Sequence, residues 1–199
     1  MISKKKVLWI LCLFLWAGSL GYSSDNPVPQ ENQKMKKNSV FSSDNPAFDF
    51  VFDYPAIGWP VDVSEGLGYH VVYLKGPVDK EKSFTTLIEI VVKPRKDGKT
   101  AADLIQALLG RVRSWPKFKL MNQKEVRVGG RQASSLIFES EERLPMESSQ
   151  AKPVAVGEQT IFFTSSDKVY RLSFHVLADR REAYVPVFEG VLKSFKFKE

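Results

Sequence analysis

Histidine is the first residue type to test for chemistry in this chain, because its imidazole is a common metal ligand and a general base near neutral pH. The two histidines, His70 and His175, both lie in stretches that alternate apolar and polar residues as strands do. His175 shares a face with Arg171 and Ser173, which predicts a solvated ring. His70 lies on the face of Val72, which predicts a partly buried, hydrogen-bonded ring. Neither has a second histidine or a carboxylate at ligand spacing, so the sequence predicts no metal or catalytic role for them.

Four glutamates in one stretch are the best candidate for a hard cation such as calcium, which prefers several converging oxygen ligands. They are Glu139, Glu141, Glu142 and Glu147. However, Glu139 and Glu141 alternate along one predicted strand, and the Asp-x-Asp-x-Asp-Gly pattern of a calcium loop is absent. The pattern favours a solvated strand end, with calcium binding as the alternative.

Motifs for a nucleophile or a cofactor are equally sparse. The chain has many serines but no Gly-x-Ser-x-Gly elbow. Gly66-Leu-Gly68 lacks the third glycine and the following helix of a dinucleotide-binding loop, so it predicts a turn. The one cysteine, Cys12, lies in the apolar N-terminal run. We therefore predict a protein that is not an enzyme and has no cofactor and no catalytic, cofactor-binding or metal-binding residues.

Basic residues cluster in the loop from Lys93 to Lys99 and in a second group further along the chain. The second group is Arg111, Arg113, Lys117 and Lys119. Together they could form a contact area for an anionic partner, but ordinary solvated charge is the favoured interpretation.

The first 21 residues have the layout of a cleavable secretory signal, with three lysines, an apolar run from Val7 to Ala17 and then small residues. This run is shorter than the ~20 apolar residues of a membrane span, so an uncleaved signal anchor is the alternative. Cleavage would remove three lysines and no acid, which lowers the net charge from +6 to +3. We predict export to the periplasm or beyond the cell, with no nucleic-acid partner and at most peripheral membrane contact.

Residues 22–45 are rich in Ser, Asn, Gln, Pro and Lys, which predicts a flexible linker. The pentapeptide Ser-Ser-Asp-Asn-Pro occurs twice, at 23–27 and 42–46, and we interpret it as a chance recurrence of turn-forming residues rather than a recognition segment. Residues 46–199 then have about the modal size of one domain. We expect a monomer whose stability comes from a packed core, because the mature chain would have no cysteine for disulfides.

Hydrophobic periodicity predicts the elements of this domain. Alternating apolar residues predict strands that begin at Phe48, Tyr69 and Phe84. Apolar residues spaced by three or four between 101 and 115 predict an amphipathic helix, with Thr100 and Asp103 as a capping pair and Pro116 at its end.

Two hairpins and a closing helix follow. Val128-Gly129-Gly130-Arg131 predicts a two-residue turn, since both glycines tolerate positive φ, and residues 165–168 join a second pair of strands. Because proline is tolerated in the first helical turn, Pro186 predicts that the closing helix starts near Val185. Its apolar face comprises Tyr184, Phe188, Val191, Leu192 and Phe195. This order predicts an α+β fold, an antiparallel β-sheet with helices packed on it.

Several of these segments together resemble the PsbP-like family, named for the extrinsic subunit of the photosystem II oxygen-evolving complex. They are Phe48-x-Phe50-x-Phe52-x-Tyr54-Pro55 with Trp59 behind it, the helix at 100–115, Gly130 with the strand after it, the strand Lys168-Val-Tyr-Arg-Leu172, and Phe188-x-x-Val191-x-x-Ser194-Phe195. The resemblance spans nearly all of residues 46–199 and implies an α/β/α sandwich. The resemblance also implies a fold shared with small adaptor proteins that bind partners rather than catalyse. Members of the family it points to occur at the thylakoid lumen, where they support metal retention and complex assembly, and among exported proteins of non-photosynthetic bacteria.

Three functions are therefore compatible with the sequence. The favoured one is an exported, non-catalytic binding module that contacts another envelope or secreted protein through its sheet face or a helix edge. The second is a photosystem II accessory protein that binds calcium or manganese, although no metal ligand of the family can be placed on a residue of this chain. The third is an uncharacterised hydrolase, which only unassigned serines and carboxylates suggest.

Overall fold

The fold is built from ten strands and two α-helices within residues 38–66, 68–96, 98–145 and 148–198, which are those that the computed structural model describes. The strands are β1 (Asn38–Phe41), β2 (Phe50–Pro55), β3 (Val61–Gly66), β4 (Tyr69–Asp79), β5 (Phe84–Pro94), β6 (Lys119–Val128), β7 (Arg131–Leu144), β8 (Lys152–Thr164), β9 (Lys168–Leu177) and β10 (Lys196–Phe197). The helices are α1 (Ala101–Val112) and α2 (Arg181–Ser194), and a 3-10 turn at Ala178–Arg180 precedes α2. The predicted signal lies outside the described residues.

The strands form two antiparallel sheets. The larger has the order β3-β4-β5-β9-β8-β7-β6, and the smaller has the order β1-β2-β10. The Gly129-Gly130 turn joins β6 to β7 with φ values of 56° and 80°, as predicted. In the middle of the larger sheet, β5 pairs with β9, which lies far along the chain. This pairing joins the N-terminal strands of the sheet to the C-terminal ones.

One face of the larger sheet buries the main core against α2 and the smaller sheet. The aromatic residues that dominate it include Phe50 and Phe195, whose ring centroids are 4.9 Å apart. Trp59 packs against Gly76, which lies at the irregularity of β4 between Lys75 and Val78. A Cβ atom at position 76 would lie 2.7 Å from the indole. The alternating Phe48–Tyr54 segment thus supplies a layer of rings between the two sheets.

Helix α1 packs on the opposite face and buries a smaller core. Its Thr100 side chain accepts from the Asp103 amide at 3.2 Å, and the Thr100 amide donates to Asp103 at 2.8 Å, which is the predicted capping box. The apolar stripe of α1 packs against β7 and β8. Helices therefore lie on both faces of an antiparallel sheet, and the predicted fold class is confirmed. Neither helix of the described chain is long and apolar enough to cross a bilayer.

Three predicted boundaries are wrong. The linker was expected to reach residue 45, but Asn38–Phe41 pairs with β2, and Phe41 is buried against the rings of the core. α1 ends at Val112 rather than at Pro116. α2 begins at Arg181, so Pro186 lies inside it, and the burial of Phe188 and Val191 offsets the missing amide hydrogen bond.

Candidate functional site

Helix α1 covers only part of its face of the larger sheet, because it packs against β7, β8 and Val169 of β9. The rest of that face carries exposed and half-buried side chains above a few buried ones. We call this surface the open face. Its side chains are Tyr69, Val71, Tyr73, Leu87, Glu89, Val91, Lys93, Glu158, Thr160, Arg171, Ser173 and His175.

Tyr69 is the most exposed aromatic side chain of the open face, with 38% of its surface accessible. Its ring lies over Gly66 of β3, since a Cβ atom at position 66 would stand 2.3 Å from Tyr69 Cζ. Lys93 Nζ lies 5.6 Å from the centroid of the same ring, within cation–π range. Burial, and then the nearby Arg171 guanidinium, lower the pKa of Lys93. Because Gly66 has no side chain, the Tyr69 ring can lie over the backbone of β3, and there it is within reach of the Lys93 ammonium group.

An ion pair between Glu89 and Arg171 joins β5 to β9 on the open face. Tyr73 on β4 is the register partner of Glu89. Burial, and then the Glu89 carboxylate, raise the pKa of Tyr73, so its hydroxyl stays protonated and can donate a hydrogen bond. This part of the open face offers a phenol, a carboxylate and a guanidinium on three neighbouring strands.

A hydrogen-bonded chain of polar side chains lies on β8 and β9. Thr160 Oγ1 donates to Glu158 Oε1 at 2.5 Å and lies 3.1 Å from Ser173 Oγ. His175 Nδ1 is 3.5 Å from Glu158 Oε2. Thr160 and Ser173 are buried, whereas 31% of the His175 side chain is exposed. Glu158 therefore lies between the buried Thr160–Ser173 pair and an accessible imidazole.

Ser173 is not placed as an activated nucleophile. A serine nucleophile needs a base within about 2.6–3.2 Å of its hydroxyl. Ser173 is buried and bonded to Thr160, and among the described residues no hydrogen bond joins it to His175. The open face can instead form hydrogen bonds, ion pairs and aromatic contacts with a molecule laid on it.

The predicted positions of the two histidines are partly confirmed. His175 shares its face with Arg171 and Ser173, as expected, but its ring faces Glu158 instead of being fully solvated. His70 packs against Phe48 with ring centroids 5.8 Å apart. It has no hydrogen bond at Nδ1, so the expectation of a hydrogen-bonded ring is wrong at that atom.

The acidic cluster does not converge in the part of it that the structure describes. Glu139 and Glu141 lie on one face of β7 and Glu142 on the other, while Glu147 is outside the described residues. Burial raises the pKa of Glu142, the interaction with nearby His175 lowers it, and the Glu158 carboxylate raises it further. Across the described ranges, no group of three or more His, Cys, Asp or Glu side chains is placed to hold a metal ion.

The predicted basic regions have separate roles. Arg95 ties two loops together by donating to the carbonyls of Ser165 and Gly98, at 2.9 Å and 2.8 Å. Lys93 belongs to the open face, and the second basic group lies at the end of α1 and the start of β6. The sequence did not indicate that Tyr69, Tyr73 and Glu89 would share a site. The alternation of strand residues identifies their common side of each strand, but not the strand order that brings them together.

No family model and no curated protein matches the chain. Among solved structures it is similar to LpqN, described as involved in cell envelope biogenesis of Mycobacterium tuberculosis, with a TM-score of 0.54 and 15% identity over 82% of this chain and 91% of that one. It also matches cyanobacterial PsbP (CyanoP) from Synechocystis, with a TM-score of 0.49 and 16% identity over 90% and 99% of the two chains. The Ran-binding protein Mog1p of Saccharomyces cerevisiae gives a TM-score of 0.45 and 12% identity over 81% and 95%. A PsbP structure is thus among the matches, as the resemblance predicts, and the similarity to LpqN shows a shared fold.

Proposed function

We propose that this protein is an exported, non-catalytic accessory module that binds another envelope or secreted protein through its open face. The observation that carries the proposal is the composition of that face. Tyrosine and arginine are enriched at protein interfaces and are frequent hot spots, and here Tyr69, Tyr73 and Arg171 surround the buried Val71 and Val91.

The neighbouring edge strand supports the same proposal. Among the strands that the structure describes, β3 pairs only with β4, so its outer backbone groups could accept a strand of a partner. An ion pair between Asp62 of β3 and Lys75 of β4 places charged side chains at this edge, next to the open face. Export is supported by the N-terminal signal pattern, and the envelope role described for LpqN fits a protein of this fold that works outside the cytoplasm.

The test is site-specific photocrosslinking in the native compartment. A photoreactive residue at Leu87, which is half-buried on the open face, should trap one reproducible partner. The matched control is the same residue at Ile57, which is 86% exposed in the loop after β2. The same adducts from both positions, or none from position 87 at native abundance, would refute the proposal.

A further inference from the structure

Three basic side chains lie where helix α1 borders the open face. Lys93 of β5 is the register partner of Val169, which packs against the core beneath α1. Arg171 follows two residues later on the same side of β9, and Arg111 lies in the last turn of α1. We call Lys93, Arg111 and Arg171, which come from three different elements, the cation cluster.

Positive charge is in excess within the cation cluster. Burial lowers the pKa of Lys93 most, followed by the Arg171 guanidinium; Glu89 raises this pKa, and Arg111 lowers it again. In the described part of the chain, Glu89 is the only acid among the charged neighbours that shift the pKa of Lys93. Three cations less one acid leave two positive charges without a counterpart.

The three side chains of the cluster remain accessible to an external anion. Lys93 and Arg111 are exposed, and neither forms an ion pair within the described ranges. Arg171 binds Glu89 through Nη2, yet 33% of its side chain stays exposed. Its Nε–H has no hydrogen-bond partner among the residues that the structure describes. The cluster therefore retains donors that its own carboxylate does not use.

Two of the three cations are also held in place before any ligand binds. The Lys93 ammonium lies 5.6 Å from the centroid of the Tyr69 ring, and the Arg171 guanidinium is fixed by Glu89. Side chains that are ordered beforehand lose less conformational entropy on binding. This part of the open face is thus prepared to receive a negative group.

We infer that the cation cluster binds a carboxylate side chain of the protein partner proposed above, so this inference rests on the proposed function. Carboxylates are the anions that unmodified proteins present, and the guanidinium fork matches their geometry. A carboxylate placed here also offsets the repulsion among the three cations. An anionic membrane is the less favoured occupant, because attraction to its surface takes clusters of about four to eight basic residues.

The experiment measures binding of the full chain to a fluorescent peptide of four glutamates and to its counterpart of four glutamines. Fluorescence anisotropy at low ionic strength gives both affinities, and their ratio isolates the contribution of charge. The wild type should prefer the glutamate peptide. Lys93→Gln/Arg111→Gln should lower this preference about fivefold or more, as expected for the loss of two ion pairs.

The control removes the same two charges at the other end of the sheet. Lys80 lies in the turn before β5, whose first residue, Phe84, is about 30 Å from Lys93 at the usual rise of a strand. Arg180 lies in the 3-10 turn that follows β9. Lys80→Gln/Arg180→Gln should leave the preference within about twofold of the wild type. Both variants keep the N-terminal lysines, and melting curves verify that both fold.

Lys93 also reports the contact directly. A carboxylate beside its ammonium group favours the charged form, so the glutamate peptide should raise the pKa of Lys93 and the glutamine peptide should not. NMR titration of the Lys93 Cε resonance measures this change. An equal loss of preference in cluster and control variants, or an unchanged Lys93 pKa at saturating glutamate peptide, would overturn the inference.

Failure of this inference is distinguishable from failure of the proposed function. A partner trapped at position 87 that binds Lys93→Gln/Arg111→Gln as tightly as the wild type would overturn the inference and leave the proposed function standing. A loss of peptide preference in the cluster variant alone would support the carboxylate site even where no adduct forms at position 87, a result that refutes only the proposed function.

Discussion

Tyr170 is the buried side chain with the clearest consequence at the scale of single residues. Its hydroxyl lies 3.0 Å and 2.8 Å from the two carboxylate oxygens of Asp49, and Lys168 Nζ lies 3.1 Å from Asp49 Oδ2. Burial, and then the hydrogen bond to Asp49, raise the pKa of Tyr170 far above its ordinary value. The contact ties β9 to the segment that leads into β2.

Tyr170→Phe should lower the free energy of unfolding by about 1.5–3 kcal/mol, the usual value of a hydrogen bond to a charged group. Urea unfolding at neutral pH measures it. Tyr54→Phe is the control, because the Tyr54 hydroxyl has no hydrogen bond in the described part of the chain, and it should change stability by less than about 0.5 kcal/mol. Equal losses would contradict the assigned contact.

The same residue predicts a pH dependence. Because the pKa of Tyr170 is higher in the folded state, the unfolded state releases this proton first as the pH rises above about 10. The stabilisation is therefore complete below that pH and is lost above it. When the pH rises from about 9 to about 11, the free energy of unfolding should therefore fall less for Tyr170→Phe than for the wild type.

Ionised Glu142 should lower the free energy of unfolding rather than raise it, since burial raises the pKa of its carboxyl and disfavours the charged form. The penalty is absent below the ordinary pKa of 4.5 and is complete above the raised one. Glu142→Gln should therefore raise the melting temperature at neutral pH and have little effect near pH 4. A gain that is equal at both pH values would contradict this origin.

At the scale of helices, strands and turns, sequence patterns predicted the features that neighbouring residues in the chain determine. The capping box of α1 and the Gly129-Gly130 turn were predictable because adjacent residues specify them. The start of α2 was not, because packing of Phe188 and Val191 outweighs the local preference of Pro186. β1 was missed because four residues in a polar segment become a strand only by pairing with β2.

The open face was only partly predictable for the same reason. The common face of Arg171, Ser173 and His175 follows from alternation within β9. The approach of Glu89 to Arg171 does not, because it depends on β5 lying beside β9. No periodicity within either strand specifies this neighbour.

Two exposed glycines give a matched test at this scale. Gly110 lies inside α1 with open space at its Cβ position, so Gly110→Ala should stabilise the protein by about 0.5–1 kcal/mol. Gly58 also has open space, but its φ is +77°, so Gly58→Ala should destabilise it by about 1 kcal/mol. Thermal unfolding measures both, and a shared sign would contradict the assigned backbone conformations.

The whole molecule derives its stability from two apolar cores on the two faces of one sheet. The chain contains a single cysteine, so no disulfide can form within it. Reducing agent should therefore leave the melting temperature of the protein unchanged. A fall would indicate that an intermolecular bridge through Cys12 contributes to stability.

The central claim is that this fold uses the open face to bind a protein partner. Its most direct test is the dissociation constant for the partner that crosslinking identifies, measured with Tyr69→Ala and Ile57→Ala. We predict that Tyr69→Ala weakens binding roughly tenfold or more while Ile57→Ala has no effect. Unchanged affinity for Tyr69→Ala in a correctly folded protein, or equal weakening by both changes, would contradict the claim.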